Sequence, residues 1–238
     1  MIKSTLLSVL ALGATATVFG QAAAAPSNAV QFTLDNTVVT EYVFRGQQYG
    51  DLTFHPSIKA AYGDFYASAW AALSDNLTLG DHEIDYAAGY SVALNETFTV
   101  DLGGTYYSYT GTVGNTDTIE PYVGVKADVS GLGLGLYYYY DLLIDDSTYE
   151  AKATYSFPIE AIKTSLDFSA TVGFVSGDLT ENVVIADNYT YYGAALALPF
   201  QVSDNATLTV GISYTDVSED AINDSSETVY STGLAVRF

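Results

Sequence analysis

The chain has no cysteine, so neither a disulfide framework nor a thiolate metal site is open to it. Lysine and arginine number only seven against 28 aspartates and glutamates, a formal net charge of −21. A phosphate backbone needs basic side chains to replace its counterions, and this balance argues for no nucleic acid partner. Two histidines leave little material for acid–base catalysis. Behind the N-terminal leader there is no apolar run approaching the ~20 residues a spanning helix needs. If the chain crosses a membrane, it crosses as strands. What it has in quantity is tyrosine and glycine, 21 and 20 of its 238 residues. Membrane barrels use both, aromatics as girdles at the lipid interfaces and small residues in narrow interiors.

The leader has a basic start at Lys3, an apolar stretch from Leu6 to Phe19 and then a run of alanines offering the small-x-small site Ala22-Ala23-Ala24. This pattern predicts a cleaved signal peptide over 1–24 and an exported domain over 25–238. An uncleaved membrane anchor is the alternative, disfavoured because the apolar part is shorter than a bilayer crossing.

Beyond the leader, alternation with a period of two dominates. From Val30 to Arg45 it places Phe32, Leu34, Val38, Tyr42 and Phe44 on one face, with Asp35, Glu41 and Arg45 on the other. A Gly46 to Asp51 loop follows, then Leu52 to Tyr62 with Phe54 and Ile58 opposite His55, Ser57 and Lys59. Phe65 to Ser74 reads as a strand of undecided facing, with Tyr66 and Trp70 on one side and Phe65, Ala69 and Leu73 on the other. The pattern then repeats over His82–Leu94, Thr97–Tyr109, Ile119–Val129, Gly131–Leu142, Thr148–Phe157, Ile162–Phe174, Tyr189–Phe200, Ala206–Asp216 and Glu227–Phe238. The sum is about twelve strands of about ten residues, an even count of the length a tilted membrane strand requires. The expected fold is all-β, a transmembrane up-and-down antiparallel barrel.

The connections alternate in length. Gly63-Asp64, Asn95-Glu96, Ser130-Gly131, Phe157 to Glu160 and Val202 to Asn205 are short, while Ser74 to Asp81, Thr110 to Thr118, Leu143 to Ser147, Ser176 to Asn188 and Asp216 to Ser226 are mostly longer and acidic. Short turns on the side of both termini and long loops on the other is the asymmetry of outer-membrane barrels. A soluble β-sandwich is the competing reading. It expects Lys and Glu on the second face, where Gly, Ser, Thr, Ala and Tyr dominate here, and no Lys or Arg interrupts an apolar face, where lipid would penalise it by ~2–4 kcal/mol. The last strand ends on Phe238 with no polar tail, which resembles the terminal targeting strand of bacterial outer-membrane barrels.

Three stretches, Tyr42-Val43-Phe44-Arg45-Gly46, Asp64-Phe65-Tyr66-Ala67-Ser68-Ala69-Trp70 and Glu83-Ile84-Asp85-Tyr86-Ala87-Ala88-Gly89-Tyr90, look like the early strands of the TorF-type porin family, known also as the Gcw_chp family. The resemblance implies a Gram-negative outer-membrane barrel with a porin role. Lipid of that membrane and, through the C-terminal strand, the barrel-assembly machinery are its expected partners; oligomeric state is not readable. No cofactor is expected.

On the second, interior face, Glu41, Arg45, Lys59, Glu83, Asp85, Asp101, Glu120, Lys126, Glu150, Lys152, Asp167 and Arg237 are the candidate lumen charges. They either pair across strands or line a narrow ion path, and the excess of carboxylates predicts a mild cation preference. Acidic loop residues Asp216, Glu219, Asp220, Asp224 and Glu227 would concentrate cations at the mouth. Their spacing matches no calcium loop. The expected function is passive diffusion of ions or small solutes. A structural or adhesive barrel with a plugged lumen is one alternative. An outer-membrane lipid hydrolase using His55 and Ser57, two apart on one face, is a weaker one, because that face points away from lipid.

Overall fold

A computed structural model describes residues 29–78, 80–111, 117–176, 188–217 and 226–238. The expected signal peptide and the loop acids Glu219, Asp220 and Asp224 lie outside the described residues.

Alternating side chains set each strand's facing, and turns join neighbours. The strands are β1 (Gln31–Val39), β2 (Tyr42–Phe44), β3 (Gln47–Gly50), β4 (Thr53–Tyr62), β5 (Phe65–Leu73), β6 (His82–Ala93), β7 (Phe98–Thr110), β8 (Thr118–Val129), β9 (Leu132–Asp141), β10 (Asp146–Ile159), β11 (Thr164–Ser176), β12 (Tyr189–Ser203), β13 (Ala206–Val217) and β14 (Glu227–Arg237). Twelve of them, β1 and β4 to β14, close an antiparallel barrel in sequence order, with β1 sealing against β14. The seal ends on the terminal residue: Phe238 N–H donates to Phe32 O at 2.9 Å, and Phe32 N–H returns to Phe238 O at 3.2 Å. Closure removes the sheet edges that would otherwise need a partner. Among the described residues no helix is long and apolar enough to cross a membrane.

The exterior is apolar along its length. Phe32, Ile58, Leu102, Val123, Leu136, Val172, Leu196, Val210 and Leu234 all point outward and are exposed. Such a continuous apolar surface far exceeds what a soluble monomer carries. Tyr86, Tyr106, Tyr149, Tyr192, Tyr214 and Tyr230 form an outward ring near the loop end. Their hydroxyls reach the polar rim: Tyr106 donates to Asp117 at 2.7 Å, and Tyr192 and Tyr214 both donate to Asp216 at 3.0 Å. Tyr62, Phe65, Phe98, Phe157 and Phe238 ring the turn end. A phenol suits this place, with an apolar body in acyl chains and a polar tip in the headgroups.

Glycine and tyrosine meet inside the barrel. Gly89 faces Tyr66, Gly103 faces Tyr122, Gly124 faces Tyr137 and Gly173 faces Tyr191, each pair directly opposed on neighbouring strands. In all four a Cβ on the glycine would collide with the tyrosine ring. The missing side chain lets the ring lie along the wall, so the interior accommodates many aromatics without overfilling.

The structure corrects the first predicted strand. Val30 to Arg45 is not one strand: β1 stops at Val39, the chain bends at Thr40-Glu41, and β2 and β3 form a separate two-stranded hairpin with its own pairing. Tyr42, expected on the lipid face, is inside and only 1% exposed. The predicted Gly46 to Asp51 loop is largely β3. The undecided β5 faces inward with Tyr66, Ser68, Trp70 and Ala72 and outward with Phe65.

Candidate functional site

The β2–β3 hairpin folds into the barrel from the loop end. Its turn is Arg45-Gly46, with φ of 49° and 79°, the two positive values of a type I′ two-residue hairpin. Glycine takes that conformation freely and approaches the far wall closely: a Cβ on Gly46 would lie 2.6 Å from Val217 and 2.9 Å from Tyr191. The hairpin therefore reaches from the β1–β4 side across to β12 and β13.

Three buried clusters receive it. Val43 packs with Val39 and Val229, Tyr42 packs with Trp70 and Ala72, and Gly46 rests on Tyr191 and Val217, which cluster with Val175 and Tyr189. All three lie in the loop half of the barrel, where the interior is consequently packed like a protein core.

Polar contacts fix the hairpin within this apolar seat. The Arg45 guanidinium forms a two-pronged bond to Glu120 on β8, at 2.7 and 2.9 Å. It also lies over the rings of Phe44, at 4.7 Å, and Tyr139, at 5.0 Å. Tyr107 donates to the same Glu120 at 3.1 Å. Tyr42 donates to Glu83 on β6 at 2.8 Å. Asp85, two residues along the same face, is fully buried beside Glu83, with which it shares a hydrogen bond.

Toward the turn end the interior changes character. Asp101 on β7 accepts from Tyr66 at 2.9 Å, from Lys126 at 3.0 Å and from Tyr137 at 3.3 Å, while Lys126 also donates to Ser91 at 3.1 Å. Lys152 pairs with Glu150 at 3.0 Å, and Tyr191 donates to Glu150 at 2.7 Å. Beyond these pairs lies a solvent-open vestibule lined by Gly133, Gly135, Tyr137, Thr154, Ser156 and the two lysines.

Of the predicted lumen charges, the structure thus brings together Arg45 with Glu120, Asp101 with Lys126 and Glu150 with Lys152, and sets Glu83 beside Asp85 under the hairpin. Lys59 faces the lumen and rests over the Tyr66 ring at 5.2 Å. Asp167 is buried and accepts from Ser165 at 2.6 Å. Arg237 is exposed at the turn-end mouth, and Glu41 sits at the opposite rim, in the bend from which the hairpin leaves the wall. Burial raises Glu41 above the ordinary carboxylate range, helped by its hydrogen bond with Glu227 and by the charges of Glu227 and Asp51.

His55 and Ser57 both face inward from β4. His55 is buried under Tyr42 and Trp70, with ring centroids 5.3 and 4.8 Å away, and neither ring nitrogen has a hydrogen-bond partner among the described residues. Ser57 and His55 are therefore not joined as nucleophile and base. Among the described residues no three carboxylate or imidazole groups are close enough to hold a metal ion.

The tyrosine hydroxyls that organise this interior were not among the sequence-derived candidates. Their signal was present in the glycines at opposed positions. The hairpin also left a trace: apolar residues occupy both parities at Val38-Val39 and again at Tyr42-Val43, which one half-buried strand does not do.

Solved structures share the architecture. The KdgM porin, 15% identical, aligns with a TM-score of 0.60 over 87% of this chain and 99% of its own. The KdgM porin in complex with disordered oligogalacturonate, 14% identical, gives 0.58 over the same 87% and 99%. An outer membrane channel from Pseudomonas putida, 9% identical, gives 0.55 over 90% and 97%. Likeness at these identities is likeness of fold, and the fold is that of outer-membrane porins. No curated protein matches the chain. The sequence match carries the Gcw_chp description and does not extend to the TorF-type name: residues 23–138, which include the inward hairpin and the Glu83, Asp101 and Glu120 strands, match the family described as "Bacterial protein of unknown function (Gcw_chp)".

Proposed function

We propose that the chain is a porin-like barrel of the Gram-negative outer membrane, passing ions or small polar solutes through a path whose narrowest part is set by the inward hairpin. The observation that carries this reading is the hairpin itself. It spans the lumen, and although Gly46 rests on Tyr191 and Val217, the Arg45 side chain at its tip is held by an ion pair and hydrogen bonds, contacts that water and ions can replace. The fold shared with porins supports it, and so does an apolar exterior around a charged interior.

In the narrow half, Glu83, Asp85 and Glu120 face one guanidinium, Arg45. That excess supports a preference for cations. It also argues against an acidic sugar polymer such as the oligogalacturonate named with KdgM. Export through the leader, contact with outer-membrane lipid and assembly through the Phe238 strand belong to the same reading. Deleting Phe238 is expected to lower the fraction of protein recovered in the outer membrane.

Planar-bilayer recording of the mature protein tests the function. Small unitary steps, with a reversal potential in a salt gradient that reports cations, are expected. A plugged structural barrel is the second reading, favoured by the three apolar clusters that seat the hairpin. Absence of steps both from the wild type and from a variant lacking the hairpin would establish it in place of the pore.

A further inference from the structure

The turn at the hairpin tip is an odd place for arginine. A type I′ first position favours Asn, Asp or Gly, because φ is positive there and a Cβ strains against the backbone. Ser130-Gly131 makes the equivalent turn between β8 and β9 with a small residue, at φ 56° and 87°. The local chemistry of the turn therefore does not account for Arg45; what its head group meets does.

That head group fills a shaped receptor. Glu120 is nearly fully buried, receives a hydrogen bond from Tyr107, and presents both oxygens in one plane to the two guanidinium nitrogens. The Tyr139 face closes one side. A planar cation with paired N–H donors satisfies all three contacts at once. An ammonium or a potassium ion supplies the charge without the fork or the flat face.

We propose that Glu120, with Tyr107 and Tyr139, is a guanidinium-binding site of the barrel wall, occupied here by the chain's own Arg45, and that solutes carrying a guanidinium group are the class that competes for it. Arg45 is then a tethered occupant, and displacing it frees the hairpin tip from the far wall. A short tether alone gives an effective concentration in the millimolar range, and the packing of Tyr42 and Val43 raises it further. Free guanidinium compounds therefore compete poorly with the wild type and well with a variant whose tether lacks the head group. That such solutes pass through the barrel rests on the porin-like reading; that they bind Glu120 does not.

The test separates the two. Thermal unfolding of Arg45→Ala in detergent is followed with low-millimolar methylguanidinium, methylammonium or potassium at matched ionic strength. Methylguanidinium is expected to raise the midpoint by several degrees and the other two much less, with the difference lost in Arg45→Ala/Glu120→Gln. Equal effects of the three cations, or a difference that survives Glu120→Gln, would overturn the site. Should Arg45→Ala not fold, Arg45→Lys keeps the charge without the fork, and the same ranking of cations is expected of it. In bilayers, conductance of the variant carried by guanidinium should saturate at lower concentration than conductance carried by potassium. Selective stabilisation without channel steps would keep the site and defeat the porin-like reading. Steps without selective stabilisation would do the reverse.

Discussion

The two halves of the barrel interior are built from the same strands and differ in what fills them. Near the loops, Tyr42 and Val43 enter from the hairpin and meet Trp70, Val39 and Val229, so the wall residues are buried as in a soluble core. Near the turns, Gly133, Gly135, Thr154 and Ser156 leave an open vestibule whose charged groups are Asp128 and two lysines already paired with carboxylates. The wall is equally regular in both halves; register continues through β6 to β13 without a break except at Gln201 and Ser203. The packing of the loop half thus comes from nine residues inserted between two strands of the barrel, while the turn half is filled only by wall side chains such as Tyr66, Tyr137 and Asp101.

Removing that insert should erase the contrast, and this is the largest effect expected. Replacing residues 42–50 by a short Gly/Ser link makes the loop half as open as the turn half, and single-channel conductance should rise several-fold. Unchanged conductance would place the narrow point elsewhere and dissolve the comparison.

A finer probe leaves the hairpin in place. Tyr42→Phe keeps the ring against Trp70 and His55 but removes one of the two tyrosine donors, with Tyr109, to buried Glu83. A carboxylate stripped of a buried donor costs ~1–3 kcal/mol. Ser156→Ala, a hydroxyl lost from the open vestibule, should stay within ~0.5 kcal/mol. Denaturant unfolding in detergent compares the two, and equal losses would mean the loop half is hydrated like the other.

This contrast also explains what was legible in the sequence. Strand number, facing and the short-turn, long-loop asymmetry follow from a period of two and from turn residues, both local properties. Leu132, Leu134 and Leu136 could only be one face, and Gly133, Gly135 and Tyr137 only the other. Pairing of Asp101 with Lys126 across β7 and β8 needs only register and was available as a general expectation of cross-strand pairs, whereas Glu150 and Lys152 stand two apart on one face of β10 and meet along the strand. The hairpin was not legible in the same way. Tyr42 and Phe44 continue the alternation of Phe32, Leu34 and Val38, so a strand running straight to Arg45 satisfies the local pattern. What breaks it is tertiary: Val43 and Val39 find Val229, and Arg45 finds Glu120, 75 positions away. No window of sequence contains that contact. The tyrosine network escaped for a related reason. A Tyr on an interior face reads as a girdle residue until the glycine opposite it is known, and opposition depends on register.

The smallest effect expected is on the hinge and depends on pH. Glu41 lies in the bend where the hairpin leaves β1, bonded to Glu227 at the start of β14, with Asp51 past the end of β3 adding a third carboxylate charge. Burial and these neighbours raise Glu41 in the folded chain, whereas in the unfolded chain it returns to ~4.3. A raised acid favours the folded hinge when protonated, so this contribution is complete below the unfolded value and is lost as pH rises through the folded one. Mild acidification should therefore tighten the seat of the hairpin, and in bilayers the conductance should fall slightly as pH drops toward the carboxylate range. Glu41→Gln, permanently uncharged, should flatten that part of the profile, while Asp64→Asn in the β4–β5 turn leaves it unaltered. Glu41 is only half-buried at the rim, where nearby solvent screens its neighbours and keeps the effect small. A profile that the Glu41 change does not move would assign the pH response to carboxylates deeper in the lumen, and the rim would then be a passive edge of the packed half, with no control over it.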